Sequence, residues 1–208
     1  MEYFDIISTV IKRRRSIRNF NNRPVDMDLV KKIIDIASHA PSNNNRQGWK
    51  FYVTKESAIK QAFCDLILKK LKDRKHQAEQ KSKIIDTLMT EYEKHFMHFK
   101  NAPVIVVCCF VKPNRFQTEI FETDQENQHM TGELISLSLV IQNMLLLADS
   151  LGLGTLVMTS PLVIAQDIKK ILEIPEKYAI GSFVCMGHYD KRPDPPRHYE
   201  LDRILHIK

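Results

Sequence analysis

Apolar residues recur along this chain in two periods, and the alternation of those periods lays out most of its elements. Phe4, Ile7 and Ile11 stand at helical spacing and predict an amphipathic helix over 3–13. Asn19 to Pro24 has turn chemistry. Asp26 or Asp28 can cap a second helix, in which Leu29, Ile33, Ile36, Ala37 and Ala40 form one stripe and which Pro41 ends. Trp49, Phe51 and Val53 alternate as a half-buried strand does. Helical spacing returns from Glu56 to Lys100. Ile59, Phe63 and Ile67 mark one stripe there, and Ile84, Leu88, Tyr92 and Phe96 a later one. The charged run Lys69–Lys83 between them reads as a solvated excursion or a lid. Asn101-Ala102-Pro103 breaks the helix.

Val104 to Val111 is continuously apolar and rich in β-branched residues, the mark of a strand buried on both faces. Residues 112–128 read as polar loop. Met130 to Leu151 is a helix apolar nearly all round, so it is either central or part of a subunit interface. Gly132, Ser136 and Ser138 give it places of close approach. Its longest apolar stretch, Leu134 to Leu147, is broken by Ser136, Ser138, Gln142 and Asn143, and reads as too short and too polar to span a membrane. Leu151-Gly152-Leu153-Gly154-Thr155 leads into a short strand over Leu156–Thr159. The order helix-to-strand, with Val157 where a third glycine belongs, excludes a dinucleotide fingerprint. Ser160-Pro161 predicts the cap and first turn of a helix running to about Leu172, stopped by Ile174-Pro175. Ala179 to Met186 is a second buried strand. The tail from Gly187 to Lys208 carries Leu201, Ile204, Leu205 and Ile207, which it cannot bury on itself. It is expected to lie along its own body or a partner subunit.

Composition narrows the classes. The chain has 208 residues, 43% hydrophobic and 27% charged, enough for one core, with no linker, repeat or low-complexity segment to divide it. A net charge of +6 and a pI near 9.1 permit nucleic-acid binding, but the lysines are dispersed and the aromatics do not interleave with them. The four cysteines, Cys64, Cys108, Cys109 and Cys185, form no C-x-x-C pair and read as buried thiols of a reducing compartment. Glu2 and Asp5 speak against a signal peptide, so a cytoplasmic protein is expected. Glu91, His95 and His98 share a helical face without a further ligand at fixed spacing, and no metal is expected.

Two polar segments carry candidate chemistry. Arg13-Arg14-Arg15-Ser16-Ile17-Arg18 gathers four guanidinium groups and a hydroxyl. Such charges repel unless an anion sits among them, and Arg suits bidentate recognition of phosphate or carboxylate. Arg13 itself, at a helix end, is expected to answer the helix dipole. The loop Ala40 to Trp49 is rich in amides and hydroxyls, which serve their own turns or a heterocyclic ligand equally well.

Arg-Arg-Ser-Ile-Arg-x-Phe at 14–20, Ala-Pro-Ser-x-x-Asn-x-Gln-x-Trp-x-Phe at 40–51 and Leu-Gly-Leu-Gly-Thr at 151–155 occur in an order and spacing that resembles the nitroreductase family of FMN-dependent oxidoreductases. The resemblance runs from about Phe4 to Arg197. It implies an α+β, three-layer fold with a central mixed β-sheet flanked by helices. It further implies one domain over 1–208 in an intertwined homodimer, the tail 188–208 wrapping the partner, with FMN at the interface. Electrons would pass from NADH or NADPH through FMN to a nitroaromatic, quinone or related acceptor in a ping-pong hydride transfer. The alternative is a flavin-binding protein without turnover, or a dehalogenating, ring-oxidising or flavin-fragmenting relative. By position in the motifs, Arg14, Arg15, Ser16 and Arg197 would hold the phosphate and Arg18 would lie at the ring's pyrimidine edge. Pro41, Ser42, Asn43, Asn45 and Gln47 would face the flavin from the second subunit, with Trp49 structural. Met158, Thr159 and Ser160 would face its N5 side, and no protein acid or base is implied. Departures stand at Gly48, where proline is frequent, at Thr159-Ser160 in place of two glycines, and at Pro195 in place of a basic residue. Lys191 or Arg192 is the compensating candidate.

Overall fold

The chain is seen in a computed structural model that describes residues 2–78, 96–112 and 126–208. A sheet divides it into layers. Its strands are β1 (Trp49–Thr54), β2 (Val104–Val111), β3 (Gly154–Met158) and β4 (Tyr178–Gly187), in the spatial order β1-β2-β4-β3. Neighbouring strands pair antiparallel throughout. The mixed character expected of the sheet reduces, among the described residues, to one parallel bridge between Ser16 and Thr155.

β2 shows why there are three layers. Seven of its eight residues are buried, and successive side chains point to opposite faces. Val104, Val106, Cys108 and Phe110 enter one core, and Ile105, Val107 and Cys109 the other. The first core is closed by α2 (Met27–Ala37), through Val30, Ile33 and Ala37, and by α4 (Glu126–Ser150), through Leu137, Val140 and Met144. The second is closed by α3 (Ser57–Ala78), through Phe63 and Ile67, and by α5 (Ala165–Ile171), through Ile168. At its centre Phe183 of β4 meets Phe63 at 5.7 Å and Phe99 at 5.9 Å between ring centroids.

Local chemistry sets several boundaries. The Asp26 carboxylate accepts the Asp28 N–H at 2.9 Å and caps α2. Others differ from the sequence pattern. α4 begins at Glu126, so the end of the expected loop 112–128 is helical, and 113–125 lie outside the described residues. A 3-10 turn over Ser160–Ile164 precedes α5, and Ser160 lies inside it and does not cap it. α3 carries the charged run as far as Ala78. The rest of that run, the stripe at Ile84, Leu88 and Tyr92, and the pair Glu91 and His95 fall outside the described residues.

α1 (Tyr3–Arg13) has no buried residue, and its apolar side chains Tyr3, Phe4, Ile7 and Ile11 stand exposed. Leu134, Ile135 and Leu139 of α4 and most apolar residues of the tail are exposed as well. By length and composition Thr131–Ser150 is apolar enough to cross a membrane, with mean hydropathy 1.5, contrary to the reading of 134–147 as too short and too polar. In this fold its inner face fills the first core, and its two acidic residues at positions 133 and 149 are buried.

All four cysteines are free and buried. Burial pushes the Cys109 and Cys185 thiols up to about 12 and drives Cys108 upward too. The unfolded chain therefore loses these protons first. Stability is full below the ordinary thiol value near 9 and falls as pH rises toward 12, by up to about 1.4 kcal/mol per pH unit for each thiol. Urea denaturation between those limits is expected to show a falling midpoint, with a shallower fall in Cys185→Ala. A midpoint that stays level overturns this account.

Candidate functional site

The arginine segment is held by a hydrophobic anchor. Ile17, 2% exposed, drives into the body beside β3, and its N–H donates to the Thr155 carbonyl at 2.8 Å. A Cβ at Gly154 would lie 2.6 Å from Ile17 and 2.7 Å from Tyr189, so the second glycine of the 151–155 motif makes room for that anchor. Gly152, at φ +77°, takes the left-handed turn after α4. The motif thus serves the arginine segment sterically. Ser16 bridges to Thr155, three residues before Met158, which places the segment on the same sheet edge as Met158, Thr159 and Ser160.

Arg14, Arg15, Ser16 and Arg18 line one cleft of about 530 Å3, whose opposite wall is the tail at Pro193, Asp194, Pro196 and His198. Arg15 Nη1 donates to the Lys12 and Arg14 carbonyls at 2.6 and 2.7 Å, while its Nε is buried without a partner. An orphaned guanidinium N–H is costly, and an anion in the cleft would satisfy it. The donor set, three guanidinium groups and a hydroxyl, matches a phosphate monoester such as the one FMN carries. Arg197 is exposed and does not line the cleft, although both its neighbours do.

Arg13 departs from its expected role. Its Nε donates to Asp149 Oδ2 at 2.9 Å and its Nη2 to the Asp149 carbonyl at 3.0 Å. The cation answers the C-terminus of α4, not that of its own helix. Arg192 Nη2 reaches the other carboxylate oxygen at 3.2 Å, and the same side chain donates to the Arg13 carbonyl and the Tyr189 hydroxyl. Arg192 is therefore engaged, and it does not line the arginine cleft. Lys191 is exposed.

The second polar segment sits on the N-terminal half of α4, against residues 132–136. The Asn43 N–H donates to Ser136 Oγ at 3.0 Å, and the Ser136 hydroxyl donates to the Gly132 carbonyl at 2.8 Å. The Gln47 N–H donates to Ser42 Oγ at 3.0 Å, and Gln47 Nε2 to Asn45 Oδ1 at 3.2 Å. Asn44, Asn45 and Gln47 have φ of 49°, 52° and 48°, a region Asn tolerates and Gln rarely enters, so the turn stores strain at Gln47. Pro41 and Asn45 are exposed. Trp49 is half-buried against the first core, as a structural residue is. Two contacts escaped the sequence reading. Arg46 Nη1 pairs with the buried Glu133 at 3.1 Å, though without the alignment of a hydrogen bond. A Cβ at Gly48 would stand 2.9 Å from Glu133 Oε2, which explains glycine where proline was the expectation. The available signal was two acidic residues inside an otherwise apolar helix.

Within one chain the two segments do not meet. Ser136 and Asp149, their seats on α4, are 13 residues apart, about 20 Å of helix. Among the described residues no group of three or more His, Cys, Asp or Glu is placed to hold a metal.

Comparison with known proteins bears on this geometry. Residues 11–188 match the model of the Nitroreductase family. A BluB-like flavoprotein from Clostridium difficile 630 superposes with TM-score 0.86 at 25% identity, over 100% of this chain and 99% of that one. A nitroreductase with bound FMN from Desulfitobacterium hafniense DCB-2 superposes with TM-score 0.72 at 24% identity, over 97% and 98%, which shows the shared fold. An iodotyrosine dehalogenase 1 homolog of Caenorhabditis elegans is 26% identical over 181 residues, 86% of this chain, which spans about half of that protein (53%).

Replacing Asp149 by Asn tests the anchor of the arginine segment. Asp149→Asn is expected to cost about 2–3 kcal/mol, less than a fully buried pair because Arg13 stays half-exposed and can rehydrate. Urea denaturation measures it, and a loss below about 0.5 kcal/mol would remove the carboxylate from this role.

Proposed function

Since the chain belongs to the nitroreductase family, we propose that it is an FMN-dependent oxidoreductase, drawing electrons from NADH or NADPH and delivering them to a nitroaromatic, quinone or related acceptor. The observation that carries this reading is the cleft in which Arg14, Arg15, Ser16 and Arg18 converge around a buried, unpartnered Arg15 N–H. Bound FMN supplies the two-electron chemistry between donor and acceptor. The chain's own residues bind and orient. Arg14, Arg15 and Ser16 hold the phosphate by charge-assisted hydrogen bonds. Arg18, whose guanidinium lines the same cleft, would stabilise negative charge on the ring of bound FMN. The segment Met158–Ser160 lies on the same sheet edge and is assigned to the ring's N5 side.

The site is assigned to a homodimer. Pro41, Ser42, Asn43, Asn45 and Gln47 stand too far along α4 to share the arginine cleft of their own chain, and a second copy supplies them. The exposed apolar faces of α1 and α4 and the apolar tail are surface that such a copy covers. We assign tail 188–208, with Arg197, to the partner's surface, 1–208 to one domain, and the protein to the cytoplasm.

A second reading, supported by the similarity to the dehalogenase homolog, keeps the flavin and changes the acceptor to a halogenated aromatic. Purified protein is expected to be yellow and to bleach anaerobically with NADH or NADPH. Steady-state assays with a nitroaromatic, a quinone and a halotyrosine assign the acceptor. Colourless protein that retains no FMN after mixing and gel filtration sinks both readings.

Arg14→Ala is expected to weaken FMN by about 2–3 kcal/mol, a 30- to 150-fold rise in Kd by fluorescence titration. Arg18→Ala is expected chiefly to lower the flavin potential. Light scattering is expected to give twice the chain mass, 48.6 kDa from 2 × 24.3 kDa. A monomer that still binds FMN at full affinity refutes the two-chain site.

A further inference from the structure

A second cleft, of about 410 Å3, lies between the loop at 21–25, the start of α3 and the turn at 100–104. It shares no lining residue with the arginine cleft. Three ammonium groups line it, those of Lys55, Lys60 and Lys100, and no carboxylate does. None of the three forms an ion pair among the described residues. Lys60 is the most enclosed of them. It donates to the Ala102 carbonyl at 2.9 Å, and partial desolvation holds its pKa below the usual lysine value.

Three like charges around one cavity repel, and the partly desolvated one gains most from a counter-charge. Neutral donors complete the set. The side chains of Asn22, Asn101 and Ser57 line the cleft and make no hydrogen bond to the rest of the described chain. Ser57 is also the first residue of α3, a helix of 22 residues, whose N-terminal N–H groups add to the positive potential. The remaining wall is apolar and rigid. Val25 and Val104 belong to the first core, and Pro24 and Pro103 stand beside them. The cavity is larger than an inorganic anion needs, and its two kinds of wall ask for a ligand with two kinds of surface.

We infer that this cleft is an anion site separate from the arginine cleft, binding a small phosphate monoester with its phosphate among Lys55, Lys60 and Lys100 and its organic part against Pro24 and Pro103. The inference does not rest on the flavin reading, since it uses none of the same residues.

Phenyl phosphate, titrated calorimetrically into the purified chain at physiological chloride, is the probe. A saturable site distinct from the arginine cleft is expected, one that persists in Arg14→Ala, with phenol silent and inorganic phosphate weaker. Lys60→Gln and Lys100→Gln are each expected to weaken binding about 10-fold, the loss of one charge-assisted contact. Arg14→Ala is expected to leave it unchanged. Lys100 is exposed, so its variant keeps the test valid should Lys60→Gln unfold. The site is overturned by an absence of saturable binding, or by binding that survives in both lysine variants and disappears in Arg14→Ala. Inorganic phosphate binding as tightly as phenyl phosphate overturns the role given to the apolar wall.

Discussion

The Asp149 carboxylate is the contact on which the arrangement of the site depends. It is buried at the end of the longest described helix, accepts a hydrogen bond from Arg13 on one oxygen and forms an ion pair with Arg192 through the other. A buried charge is stable only when paired and hydrogen-bonded, so these two arginines are not free to turn elsewhere. One fixes the exit of α1 and thereby the direction in which Arg14, Arg15 and Ser16 leave it. The other ties the start of the tail to the same point. The cleft between arginine segment and tail exists because a single carboxylate draws both its walls to one helix end.

The N-terminal half of α4 is built on the same logic with other groups. Glu133 is buried, Arg46 reaches it from the loop, and glycine at 48 leaves the carboxylate room. Ser136 supplies the hydroxyl that receives the loop's backbone, and a Cβ at Gly132 would stand 3.1 Å from Asn43 Nδ2, so glycine leaves that side chain its place. The stretch of α4 from Glu133 to Asp149, apolar between two buried acids, is therefore a rigid spacer between two polar platforms. Its length, fixed by the helix rise, keeps them about 20 Å apart in one chain. A composite site follows from that spacing only if two copies are arranged so that the platform of one meets the cleft of the other.

The elements were legible because burial in this fold is periodic. The run Val104–Val111 reads as buried on both faces, and it separates two cores. The stripe of α2 recurs at the spacing a helix requires, and Asp26 announces its cap. Legibility failed where a contact joins positions distant in sequence. Arg13 looked like the partner of its own helix dipole, yet its acceptor lies 136 residues away. Arg192 looked available, and it is bound on three sides. Gly48 and Gly154 looked like motif variation and motif identity, and both are matters of space: a carboxylate in one case, the Ile17 side chain in the other.

The sequence by itself determined the order of helices and strands, the two-sided strand and the arginine-rich segment, since each depends on neighbours within a few residues. It also placed the chain in its family, through three motifs whose order is linear information. The tertiary structure alone decided which arginines are committed to Asp149 and which line a cleft. It alone set the two polar segments about 20 Å apart along one helix and gathered Lys55, Lys60 and Lys100 at a second cavity. The physical reason is the same in each case. Pairing of charges and exclusion of a Cβ are set by distance in space, and a one-dimensional pattern carries no record of which distant residue fills that space.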